Sequence, residues 1–163
     1  MPLDRAENQI RPEVGVDLSA KLPGGQPLWT PQREIIDGKP GRLLQKSGTT
    51  AVYLTRTVRA TRPARLTVGI GGGDRLEVWL NGRKTASCQT HLTTGRYGTG
   101  EQVDGTRVDQ LIVDLDLHAG ENALVLRVTL ADEPSFYFSA SPSPVPRLWE
   151  QLRRDFPDRK STV

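Results

Sequence analysis

Between Ala51 and Ala140 apolar side chains recur at every second residue, and this spacing constrains the fold more than any other feature of the chain. Val52, Leu54 and Val58 share one face of a first run; Leu66, Val68 and Ile70 share one face of a second, and Leu76, Val78 and Leu80 one face of a third. Further on, Leu111, Val113, Leu115 and Leu117 alternate with Asp114 and Asp116, while Leu124, Leu126, Val128 and Leu130 alternate with Val125, Arg127 and Thr129. Ser135 to Ala140, with Phe136, Tyr137 and Phe138, closes the series. On a strand, residues two apart leave the same face, so each run has one face to bury and one wetter face. No helical pattern intervenes. Two antiparallel sheets stacked face to face satisfy all the runs at once, which predicts an all-β antiparallel β-sandwich of jelly-roll-like topology.

Both flanks depart from this period. Residues 1–48 are irregular and punctuated by Pro12, Pro23, Pro27, Pro31 and Pro40, with one expected strand at Val14 to Leu18, and they are expected to wrap a sheet. From Pro146 onward Leu148, Trp149, Leu152 and Phe156 fall on one helical stripe, with Pro146 suited to a first turn and Pro157 ending the pattern. A short C-terminal amphipathic helix is therefore expected, covering an open edge of its own sandwich or docking onto a neighbouring domain. The chain thus divides into a sandwich domain over 1–145 and a helix and tail over 146–163. Its 163 residues suffice for one core and leave no room for a second full domain.

Composition narrows the function classes. The formal charge of +3 is concentrated at the C-terminal end, where Arg147, Arg153, Arg154, Arg159 and Lys160 outnumber Glu150, Asp155 and Asp158; elsewhere the charges nearly cancel. No basic stripe interleaved with aromatics is present, which argues against nucleic acid. A single cysteine, Cys88, excludes an internal disulfide and every Cys-cluster metal site. Met1 to Gln32 holds no apolar run of the signal-peptide kind, and no stretch approaches the roughly 20 apolar residues of a membrane-spanning helix, so no membrane insertion is expected.

The glycines in VGIGGGDRLEVWLNGRK, Val68 to Lys84, invite a nucleotide reading. A dinucleotide fingerprint needs its Gly-rich turn to open a helix whose N-terminus faces the pyrophosphate. Here the turn leads into Leu76, Val78 and Leu80 at period two, then Asn81-Gly82, the preferred pair for a type I′ hairpin. The glycines are thus expected to join two strands.

Other constellations offer chemistry of lower specificity. Asp114, Asp116 and His118 lie at i, i+2 and i+4, so a strand places them on one face as a possible metal row or, for the two aspartates, a glycosidase pair. Strand neighbours two apart are about 6.5–7 Å from each other and converge poorly on one ion, and nothing predicts the cleft a glycosidase needs. A solvated strand face needs neither. No catalytic residue is assigned. The segment Lys84 to Arg107 is long, polar and glycine-rich. Such loops are often functional or disordered. Tyr97, Arg96, His91 and Glu101 supply an aromatic face and polar groups of the kind that hold a sugar, though a plain surface loop accommodates them equally. Trp79 lies opposite Leu76, Val78 and Leu80 and is expected to pack under the N-terminal segment; Trp29 is expected where that segment meets the sheet, and Trp149 on the helix stripe.

The order of these pieces resembles the galactose-binding-like β-sandwich domains, similar to those appended to bacterial glycoside hydrolases and found in large planctomycete cytochrome-type proteins. The resemblance runs over residues 29–140 and rests on Tyr53 to Ala60, on Trp79-Leu80-Asn81-Gly82, on Leu117 to Asn122 as Leu-x-x-Gly-x-Asn, and on the closing Phe136 to Ala140. It implies a non-catalytic accessory module of a larger exported bacterial protein, periplasmic or at the cell surface. Such a module binds glycan weakly through Tyr97, Arg96, His91 and Glu101, or serves as a spacer or protein-interaction domain against neighbouring domains of the parent. It also allows structural calcium, although the turn holds Gly72, Gly73 and a lone Asp74 where many members carry paired aspartates.

Overall fold

A computed structural model describes residues 10–33, 35–43, 51–89, 102–103, 106–129 and 135–140. Its strands, in chain order, are β1 (Gly41–Arg42), β2 (Ala51–Ala60), β3 (Ala64–Gly71), β4 (Arg75–Leu80), β5 (Arg83–Gln89), β6 (Gln102–Val103), β7 (Thr106–Arg107), β8 (Leu111–Leu117), β9 (Gly120–Thr129) and β10 (Ser135–Ser139). They form two four-stranded antiparallel sheets, ordered β1-β10-β3-β8 and β2-β9-β4-β5, with β6 and β7 paired separately. The described residues contain no helix. The expected C-terminal helix at 146–163 lies outside them.

The alternating residues do what their spacing requires. Val68, Ile70, Leu111, Val113, Leu115 and Phe136 from one sheet meet Leu76, Val78, Leu80, Leu124, Leu126 and Val128 from the other in a single buried cluster. At roughly 25 cal/mol per Å² of apolar surface removed from water, a cluster of this kind is the main force holding the sheets together. The chain changes sheet at β1 to β2, β2 to β3, β3 to β4, β8 to β9 and β9 to β10. Within the larger sheets, β4 to β5 is a tight hairpin. There Asn81 (φ 51°) and Gly82 (φ 80°) both occupy the left-handed region, as a type I′ turn demands.

Two expectations need correction. Residues 12–14 form a turn rather than part of a strand over Val14 to Leu18; Arg11 bridges Gly15, whose φ is 113°, and Val14 and Leu18 are 82% and 60% exposed. Alternation of three apolar residues was insufficient there, because Gly15 folds the backbone back on itself. Likewise the polar stretch expected as loop from Lys84 begins as strand, since β5 runs to Gln89 at the sheet edge. Edge strands tolerate such polar composition.

Glu13, in the N-terminal segment, meets the β4-β5 hairpin and the outer face of β4. The backbone carbonyl of Glu13 lies against Gly82, where an added Cβ would approach it to 2.8 Å. Trp79, buried on the outer face of β4, donates its indole N–H to Glu13 Oε1 at 3.0 Å. Trp29 instead donates to the carbonyl of Asp17 at 2.9 Å, within the wrapping segment itself.

Asn122, with no exposed surface, ties the hairpin to the opposite turn. Its Oδ1 accepts from Asn81 Nδ2 (2.9 Å) and from the His118 amide (3.0 Å), and its Nδ2 donates to the His118 carbonyl (2.9 Å). Asn81 in turn exchanges a pair of bonds with Ala123, its Oδ1 accepting and its amide donating at 2.8 Å each.

Candidate functional site

The glycine run sits where β3 leaves one sheet and β4 enters the other. A Cβ on Gly71 would lie 1.8 Å from the Arg107 carbonyl oxygen, one on Gly72 2.3 Å from that of Ser135, and one on Gly73 2.5 Å from that of Thr129. Gly72 and Gly73 also have φ of 92° and 71°. Carbonyl oxygens crowd all three positions, the opposite of the N–H array a phosphate requires. These glycines let three backbone segments approach closely.

The aspartate row is committed across strands. Register places Thr67 opposite Asp114 and Arg65 opposite Asp116. Thr67 Oγ1 donates to Asp114 Oδ1 at 2.6 Å, and Arg65 Nε donates to Asp116 Oδ1 at 2.7 Å. His118 lies in the turn after β8, its Nδ1 2.8 Å from the Ala119 carbonyl. The three side chains face separate partners, and among the described residues no group of three or more His, Cys, Asp or Glu is placed to hold a metal ion.

On the outer face of that sheet, Tyr137 lies buried beside Ser139. Burial pushes its hydroxyl pKa up; the Asp109 and Asp37 charges add to that, and a hydrogen bond with Ser139 opposes it. Asp37 is itself used, accepting from the Ala140 amide at 2.7 Å.

Among the described residues, three cations converge on one carboxylate on the outer face of β2-β9-β4-β5. The alternation that sends Leu76, Val78 and Leu80 inward sends Arg75, Glu77 and Trp79 outward, and register brings Arg127 of β9 opposite Glu77 and Lys84 of β5 opposite Trp79. Glu77 is buried there. Its Oε1 accepts from Lys84 Nζ (2.5 Å) and Arg75 Nη2 (3.1 Å), and its Oε2 from Arg127 Nη1 (3.0 Å). Burial by itself raises the Glu77 carboxyl pKa, but the hydrogen bonds from Lys84 and Arg127 and the charges of Lys84 and Arg75 outweigh it and leave the group below its ordinary value. Lys84 stands 5.2 Å from the centroid of the Trp79 ring and Arg127 5.9 Å from that of Tyr53. A fixed set of half-exposed cations over a buried carboxylate can receive hydrogen-bond acceptors and negative charge.

The sequence-derived sugar residues Tyr97, Arg96, His91 and Glu101 all lie outside the described residues. What is placed are the anchors on either side: Gln89 ends the edge strand β5, and the chain returns at β6 and β7, where the Arg107 carbonyl packs on Gly71 of the other sheet. The Glu77 cluster escaped sequence reasoning. Arg75 and Glu77 share one face of β4, but Lys84 and Arg127 reach Glu77 only through cross-strand register, and the signal available was the charged pair Arg75 and Glu77 on a strand apolar from Val78 to Leu80. Among the described residues no helix is long and apolar enough to cross a membrane. Comparison with family models, with curated proteins and with solved structures gave no match.

Proposed function

We propose that this chain is a non-catalytic, galactose-binding-like accessory module of jelly-roll-like topology that binds carbohydrate weakly through the segment between β5 and β6. The observation that carries the reading is how that segment is mounted. It leaves one sheet at an edge strand and returns beside the other sheet, so both of its ends are fixed to a packed scaffold. Recognition in sandwiches is commonly built on connections held this way. The sequence of the segment supplies Tyr97 for the apolar face of a sugar ring and Arg96, His91 and Glu101 for its hydroxyls. Aspartates elsewhere that offered hydrolytic or metal chemistry are engaged across strands, which supports binding over catalysis.

A pull-down on a panel of polysaccharides, run with the chain and its Tyr97→Ala and Arg96→Ala variants, tests this. Retention of the parent and loss in the variants at unchanged melting temperature is expected. A chain retained by no glycan overturns the reading.

One observation favours a second function. Val14 and Leu18 hold apolar side chains in water on the wrapping segment. A spacer or interaction domain would use them against neighbouring domains of its parent. It would ignore glycans and melt at a higher temperature once those domains are restored.

A further inference from the structure

The charge on the outer face of β4 and β5 exceeds what internal pairing requires. One cation would neutralise Glu77, whereas Arg75, Lys84 and Arg127 all converge on it. The surplus is also layered. The side chain of Glu77 is 6% exposed, while those of Arg75 and Lys84 are 45% and 43% exposed. The anion therefore lies underneath, and a ligand approaching the sheet meets positive charge.

Arg75 and Lys84 both contact the same oxygen, Oε1, and among the described residues neither has a second acidic partner. An ammonium carries three donors and a guanidinium five, so most of their N–H groups are directed to no carboxylate of the described residues. Two further acids lie on this face among the described residues, and both are engaged: Glu13 accepts from the indole of Trp79, and Glu121 pairs with Arg59. The Trp79 ring beside Lys84, together with the shared carboxylate, fixes the two head groups before any ligand arrives, which reduces the ordering that binding would otherwise cost.

We infer that Arg75 and Lys84 form a subsite for the carboxylate or sulfate groups of an acidic polysaccharide, with Glu77 beneath them as a positioning residue. Guanidinium and ammonium groups held side by side match such oxyanions in charge and donor geometry. The choice of polymer rests on the carbohydrate reading above, but the subsite is separate from the segment between β5 and β6.

The test is affinity electrophoresis of the full chain in gels containing polygalacturonate, dextran sulfate or neutral dextran. Arg75→Gln, Lys84→Gln, the double variant, Arg75→Lys and Tyr97→Ala run alongside, each with its melting temperature. Each neutralising substitution is expected to weaken retention by the acidic polymers about fivefold, the double variant more, and rising salt to weaken it further. Arg75→Lys, which keeps the charge, is expected to retain more than Arg75→Gln; equal losses in the two mean that altered packing rather than charge is responsible and overturn the inference. Unchanged acidic retention in the double variant overturns it also. Retention of neutral glycans that depends on Tyr97, with none of acidic ones, overturns this inference and leaves the carbohydrate reading standing. Acidic retention lost in the double variant but intact in Tyr97→Ala upholds the subsite and moves binding away from the segment. Equal retention of single-stranded DNA through the same two residues overturns the polysaccharide assignment, and retention by no polymer overturns both readings.

Discussion

Replacing Asn122 by alanine removes the knot between the Asn81-Gly82 hairpin and the turn that opens β9. Three bonds of 2.9–3.0 Å are lost, to Asn81 Nδ2, the His118 amide and the His118 carbonyl, together with longer contacts of 3.4 Å to the carbonyls of Val58 and Gly120. A typical bond contributes about 1 kcal/mol net, and a buried partner left unsatisfied costs about 1–3 kcal/mol. Asn81 and His118 both reach the surface, so water can take over part of what they lose. The expected loss is about 2–4 kcal/mol, a large share of the 5–15 kcal/mol typical of a domain. For a chain of this size it corresponds to a fall in melting temperature of roughly 5–15 °C. Urea unfolding of the parent, Asn122→Ala, Asn81→Ala and the double variant measures it. Because Asn81 and Asn122 bond directly, the double cycle should show a coupling of about 0.5–3 kcal/mol. A loss below about 1 kcal/mol with additive single effects would mean that the clasp contributes geometry without energy and would refute the reasoning.

Three further outcomes follow from the geometry. Glu77→Gln should destabilise the fold at neutral pH and progressively less as the medium is acidified. The folded-state pKa of Glu77 is depressed, so its contribution is present above the ordinary carboxylate range and is lost as pH falls through the lowered value; parallel melting curves at every pH would contradict this. Gly71→Ala places a Cβ 1.8 Å from the Arg107 carbonyl oxygen and must displace backbone, so a loss of about 2–3 kcal/mol or more is expected in urea unfolding. Trp79→Phe keeps the buried ring but drops the bond to Glu13, which should cost about 1–2 kcal/mol and quicken hydrogen exchange and proteolysis over residues 10–33 while the sheets stay protected.

Where a strand has one face in the core, its alternation was readable along the chain, as in Leu111 to Leu117, because the pattern depends only on neighbours two residues apart. The same holds for Asn81-Gly82, whose turn follows from two adjacent residues. β5 was missed beyond its first residues because RKTASCQ, at an edge, buries little and carries little alternation. Val14 to Leu18 misled in the other direction, since three alternating apolar residues are outweighed by one glycine at φ 113°. The charged sites were illegible for a different reason. Arg65 with Asp116 and Glu77 with Arg127 are set by register between strands some 50 residues apart, and no local pattern encodes it. The fold was therefore largely legible, whereas the candidate charged site needed coordinates.

The ladder between β2 and β9 has a bearing on how the chain comes into being. Ala51 pairs with Thr129 and Ala60 with Gly120, and β9 is also the partner of β4. During synthesis β2 and β4 therefore emerge long before the strand they share. Until it arrives, Val52, Leu54, Leu76 and Val78 face solvent or hold temporary partners, a state prone to aggregation. Closing so large a loop late also makes folding slow for the chain's size. A ribosome-bound chain truncated before residue 120 should remain a chaperone client, and release of β9 should be the step that commits the sandwich to its native pairing.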